Sequence, residues 1–69
     1  MKISKMRANI TMNEVINKGE FVKEVKVTNS ITCKVYKCDG WEYTFFSING
    51  ELTKIEEYNH RELIEVYVA

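Results

Sequence analysis

Histidine and aspartate each occur once in this 69-residue chain, cysteine twice, glycine three times and proline never. Those scarcities remove most kinds of chemistry. The one histidine, His60, stands between Asn59 and Arg61 where a turn is expected, and reads as a solvated loop residue. Asp39 precedes Gly40 and has a turn role of its own. A dyad of Cys38 and His60 is conceivable, but no third group supports it as a nucleophile and base. Two cysteines and one histidine do not make a tetrahedral zinc site, and Glu56-Glu57 lacks the alternating acidic loop of a calcium site. Gly19, Gly40 and Gly50 are isolated, so no glycine-rich phosphate loop exists. No catalytic residue, cofactor or metal is expected, and the chain reads as a non-enzyme. The lack of proline and glutamine and the excess of lysine over arginine carry little functional weight.

Long hydrophobic runs are missing too. No segment approaches the roughly 20 apolar residues of a membrane helix, and the basic stretch Met1–Arg7 is not followed by an apolar run of signal-peptide length. A cytoplasmic protein with no membrane partner is expected. The cysteines agree. Cys33 and Cys38 fall on one expected strand, five residues and roughly 16 Å apart at the strand rise. A disulfide needs its Cα atoms within about 7 Å.

What the chain does contain is turn chemistry. Asp39-Gly40 and Asn49-Gly50 are dipeptides favoured by type I′ turns, in which both central residues have positive φ. Two-residue turns there place Tyr36 opposite Tyr43, Cys38 opposite Trp41 and Lys34 opposite Phe45, with Tyr58 reaching Trp41 from the third strand. One sheet face then carries Tyr36, Trp41, Tyr43, Phe45 and Tyr58, flanked by Lys34 and Lys54. The other carries Ile31, Cys33, Val35, Thr44, Phe46, Ile48, Thr53 and Ile55, and is the better candidate for the main core.

Upstream, Thr11 with Glu14 forms a capping box and Ile10 with Val15 a hydrophobic staple, so a helix is expected over Thr11–Lys18, ended by a left-handed Gly19. Met12, Val15 and Ile16 share its apolar face. Met1–Ala8 reads as a short edge strand or an arm. Alternation of Phe21, Val25 and Val27 with Glu24, Lys26 and Thr28 marks Glu20–Thr28 as a half-buried strand. Leu63–Val68 is β-branched enough for a last strand, with a short helix from Asn59 as the competing reading. Residues 1–69 are therefore expected to form a single α+β domain, mostly β. It is an antiparallel bent sheet or small open barrel of about five strands with one short helix near the N-terminus.

Net charge is zero but unevenly spread. Residues 1–37 carry eight Lys or Arg against three Glu, a net +5; residues 38–69 carry two against seven acids, a net −5. Basic strands can pair with acidic ones within the fold, or the acidic half can meet a basic partner.

The aromatic face admits three readings. It can be a second core covered by the chain itself. It can be a protein interface, with Tyr36, Trp41, Tyr43, Phe45 and Tyr58 as anchors and Glu42, Glu56 and Glu57 steering a partner; Trp and Tyr supply large contact area with a polar tip. It can also be a single-stranded nucleic-acid platform built from Trp41, Tyr43 and Phe45 with Lys34 and Lys54, against which zero net charge and the neighbouring glutamates argue. The expectation is a protein-binding module that self-associates as a homo-oligomer. In general style, a short, lysine- and asparagine-rich, proline-free chain without a site resembles the small accessory proteins of phages and mobile elements. That resemblance, which rests on no specific motif, implies an inhibitor of a host protein.

Overall fold

In the computed structural model, which describes residues 2–69, one helix precedes five strands that form a single antiparallel sheet in chain order. Helix α1 spans Lys5–Lys18, and the strands are β1 (Glu20–Lys26), β2 (Ile31–Cys38), β3 (Trp41–Ile48), β4 (Glu51–Asn59) and β5 (Glu62–Val68). The sheet bends but does not close into a barrel, which matches the expected class. No helix of the described residues is long and apolar enough to cross a membrane.

The helix starts well before Thr11. Ser4 is the N-cap, its Oγ accepting from the Arg7 N–H at 3.2 Å, so one of the orphan donors of the first turn is satisfied there. Thr11 and Glu14 lie inside the helix instead of at its start. The earlier start brings Ala8 onto the stripe with Met12 and Val15, at the i, i+4, i+7 spacing that lines one helix face. Ala8 and Val15 are buried and Met12 packs against them, whereas Ile16 stays half exposed. The expected arm shrinks to Lys2–Ser4, where the Ile3 N–H donates to the Val66 carbonyl; Met1 lies outside the described residues. Gly19 ends the helix in extended rather than left-handed backbone, at φ −89°.

Both glycine-containing turns form as their dipeptides require. Asp39 and Gly40 have φ of 52° and 81°, Asn49 and Gly50 of 52° and 82°. The β2–β3 register follows from the first turn, pairing Tyr36 with Tyr43, Cys33 with Phe46 and Ile31 with Ile48. A third turn of the same kind joins β4 to β5, with His60 and Arg61 both at positive φ.

Three bulges then decide which side chains share a face. In β4 the pairing passes from Ser47–Leu52 to Phe46–Lys54, leaving Thr53 unpaired. The Thr53 hydroxyl donates to the Phe46 carbonyl at 3.2 Å and holds the extra residue in place. A one-residue slip turns every later side chain over. Ile55 and Glu57 therefore join Phe45 on one face, while Lys54, Glu56 and Tyr58 turn to the other. Tyr58 lies opposite Glu42, not Trp41. A second bulge, at Val66, brings Tyr67 opposite Ile55. A third, at Val22, brings Phe21 beside Tyr36 and Val25 beside Cys33. The alternation expected for β1 is thus broken, and all seven of its residues are exposed rather than half buried.

The helix covers the face of Phe45, so the main core lies there and not on the Ile31–Phe46 face. Ala8 and Val15 meet Phe45, Leu52, Ile55 and Tyr67, with Ile3, Tyr36, Cys38, Tyr43 and Val66 around them. The Thr53 bulge accounts for the change, because it brings Ile55, the most deeply buried large side chain, to the helix side.

Candidate protein-binding surface

The aromatic residues of the hairpins divide between the two sides of the sheet. On the helix side, rings run in contact from Phe21 to Tyr36 (centroids 5.4 Å, edge-on), Tyr36 to Phe45 (6.0 Å, edge-on) and Phe45 to Tyr43 (6.2 Å, stacked). Such pairs are favourable beyond the area they bury. Phe45 is 2% exposed and belongs to the core, so it is not a surface anchor. Tyr36, Trp41 and Tyr43 are partly buried around it. Tyr58 is on the opposite side and is 44% exposed.

The nucleic-acid platform is not assembled. Phe45 has no free ring face to stack on, and Lys34, on the helix side, leans toward Glu24 at 3.9 Å. Lys54 is on the far side, its Nζ 5.3 Å from the Phe46 ring centroid. The three steering glutamates are also separated: Glu42 and Glu56 face away from the helix and Glu57 toward it.

Glu57 stands directly opposite Tyr43. Burial first, then the charge and hydrogen bonding of Glu57, push the Tyr43 hydroxyl from an ordinary 10.0 up to about 12. The folded protein therefore keeps a proton that the unfolded chain releases, and this contribution to stability is lost as pH rises from about 10 through about 12. Alkaline titration followed by tyrosinate absorbance should show one tyrosine ionising near 12, and Tyr43→Phe should remove that step. A full tyrosine complement titrating near 10 in the folded protein would refute the burial of Tyr43.

At the β2–β3 turn end of the sheet, Cys38, Asp39, Trp41, Tyr58 and His60 border an open hollow of about 520 Å³. Cys38 and His60 thus share a neighbourhood, but the hydrogen bond of the Cys38 thiol goes to Asp39 Oδ2 at 3.8 Å. Among the described residues no cluster of three His, Cys, Asp or Glu could hold a metal ion.

The side away from α1, the open face, has no element over it. Paired registers set Val25, Cys33 and Phe46 in one row across β1, β2 and β3, with Ile31 and Ile48 in the next. Cys33 and Val35 are buried beneath their neighbours, and burial raises the Cys33 thiol pKa. Val25 and Ile48 are each 44% exposed. Toward β5 the same face becomes ionic. Glu65 bridges Lys2 at 3.2 Å and Lys54 at 3.4 Å, and Lys54 also meets Glu56 at 3.1 Å. Hydrogen bonds from Lys2 and then Lys54 hold the Glu65 carboxyl below its ordinary range. The spacing in the sequence does not announce this network, because the His60-Arg61 turn that pairs Glu56 with Glu65 has no glycine to mark it, and the Thr53 bulge decides that the group lies on the open face.

Comparison with protein-family models, with curated proteins and with solved structures gives no significant match to this chain.

Proposed function

We propose that this chain is a non-enzymatic protein-binding module that acts in the cytosol, associates with itself, and meets its protein partner through the open face of the sheet. The observation that carries this reading is the uncovered apolar half of that face, where Val25, Ile31, Phe46 and Ile48 form adjoining rows with no helix over them. Contiguous apolar surface of this kind is what protein interfaces bury, and a polar rim usually borders it. Glu42 on the same side provides an acidic neighbour for a basic partner, whereas the Glu56 carboxylate is already met by Lys54 at 3.1 Å. Tyr58, half exposed on this face, supplies an aromatic anchor of the sort common at interface centres. The phage-accessory style of the chain suits a small protein that acts by covering a host protein.

A photo-crosslinking residue tests the face directly. Placed at Ile48 it should give discrete crosslinked protein products that excess unlabelled protein competes away, and Phe46→Lys should abolish them. Placed at Met6, exposed on α1, it should give none. Equal yields from both positions, or no product from Ile48, would overturn the reading.

A further inference from the structure

We infer that the self-association runs through the free edge of β1, where two copies of the chain pair antiparallel about a two-fold axis at Val25. The inference rests on the self-association in the reading above and adds its geometry and register.

The two edges of the sheet differ. The β5 edge has Ile3 against it, donating its N–H to the Val66 carbonyl. On the β1 edge all residues from Glu20 to Lys26 are exposed. Val27 donates its N–H to Ile31 and Val25 pairs with Cys33. Hydrogen-bonding residues alternate along an antiparallel strand, so the N–H and C=O groups of Glu24 and Lys26 point away from the sheet. Those outward groups match an antiparallel copy centred on Val25, where Glu24 of each chain stands opposite Lys26 of the other.

The side chains fit the same register. Glu24 and Lys26 pair with Lys34 and Thr32, residues two apart on β2, so both lie on the helix side of the sheet. The two-fold axis sets Glu24 against Lys26 twice, an opposite-charge pair of the kind that stabilises adjacent strands. On the open face it sets Val25 against Val25, joining the two Val25–Cys33–Phe46 rows into one apolar strip across both copies. Edge lysines commonly blunt a strand against pairing. Here Lys26 lies two residues from Glu24 on the same side of the sheet, and that pair complements itself, while Lys23 is on the open face. The Val22 bulge interrupts the strand upstream and confines regular pairing to the segment around Val25.

Molar mass by light scattering across a concentration series, with circular dichroism as the check on folding, tests this on the intact chain. The wild type should form dimers. Glu24→Lys sets like charges opposite each other and should weaken the dimer roughly tenfold or more, since two cross-strand pairs change sign. Adding Lys26→Glu should restore it. Restoration cannot come from Lys34 within the chain, because the residue at 24 remains a lysine in the double variant. Lys26→Pro removes an outward N–H together with the lysine charge, takes no hydrogen bond from β2, and should leave a folded monomer. The Glu24 and Lys26 amides should exchange slowly in the dimer and quickly on dilution. A chain that stays monomeric up to about millimolar concentration overturns the inference, while the crosslinks from Ile48 judge the open face separately. A dimer that tolerates Glu24→Lys and Lys26→Pro but is lost in Phe46→Lys overturns the edge and leaves the face. Failure of Lys26→Glu to rescue Glu24→Lys overturns the register.

Discussion

Replacing Phe45 with alanine is expected to unfold the protein at room temperature. The ring is 2% exposed on the middle strand, stacked on Tyr43, met edge-on by Tyr36, and part of the cluster that Ala8 and Val15 close from above. Truncating a buried phenylalanine to alanine costs about 3–5 kcal/mol, because contacts are lost and the cavity relaxes only in part. A domain of this length has a total stability on the order of 3–10 kcal/mol, so the change removes much or all of it. Far-ultraviolet circular dichroism with a thermal melt reads the result. Trp41→Ala is the control: its side chain is partly exposed at the end of the sheet, bordering the open hollow, and that variant should still melt cooperatively. If Phe45→Ala melted within a few degrees of the wild type, α1 could not be packed on this face.

Gly19→Ala should be the next most damaging change, and for a reason unlike that of an ordinary turn glycine. At φ −89° its backbone suits any residue, so no conformational strain is involved. The difficulty is room. A Cβ at Gly19 would lie 2.6 Å from the Val15 carbonyl oxygen and 2.7 Å from that of Lys37. Both are backbone atoms, and the Val15 oxygen already accepts the Gly19 N–H at 2.7 Å. Neither can swing aside as a side chain would, so the end of α1 must move off β2. Overpacking of this sort costs typically about 1–3 kcal/mol, and two backbone neighbours put Gly19→Ala toward the top of that range. Gly40→Ala differs in kind. A Cβ there meets nothing within 4 Å, but φ is +81°, a left-handed conformation that costs an L-residue roughly 1–2 kcal/mol. Urea denaturation midpoints should rank wild type, Gly40→Ala and Gly19→Ala in falling order. A Gly19→Ala midpoint equal to that of wild type would show that the helix end does not approach Lys37 so closely.

These two glycines mark what could be read from the residues and what could not. The turns at Asp39-Gly40 and Asn49-Gly50 were legible because positive φ restricts residue type, and the pairing of Tyr36 with Tyr43 followed by counting. Counting fails at a bulge. Thr53, Val66 and Val22 are ordinary strand residues, and nothing in their chemistry announces that one of them is skipped. Each nevertheless inverts the side chains that follow. That is why Tyr58 and Lys54 left the aromatic face, why Ile55 entered it, and why the main core changed sides. The helix start was obscured differently. Thr11 and Glu14 match a capping box, whereas Ser4 caps without an acidic partner, and burial of Ala8 under the sheet's cover decides between them. Of the candidate anchors, Tyr36, Tyr43 and Phe45 do come together, with Trp41 at the end of the sheet. Their exposure depended on where the helix would lie, and local spacing does not encode that.

The single hydrogen bond from Ile3 to Val66 bears on how large an assembly of these chains can grow. A sheet with two free edges can add copies at both ends and lengthen into a fibril. Here Ile3 of the same chain sits against Val66 on the β5 edge, so in the proposed dimer pairing at β1 uses the edge that, among the described residues, carries no backbone hydrogen bond from outside the sheet. What then faces outward at either end is a β5 strand with Ile3 already seated on it. A bond worth little to the fold of one molecule would thus act as a stop in the proposed assembly, and the same Lys2–Ser4 lead whose Ser4 caps the helix would limit how far further copies add.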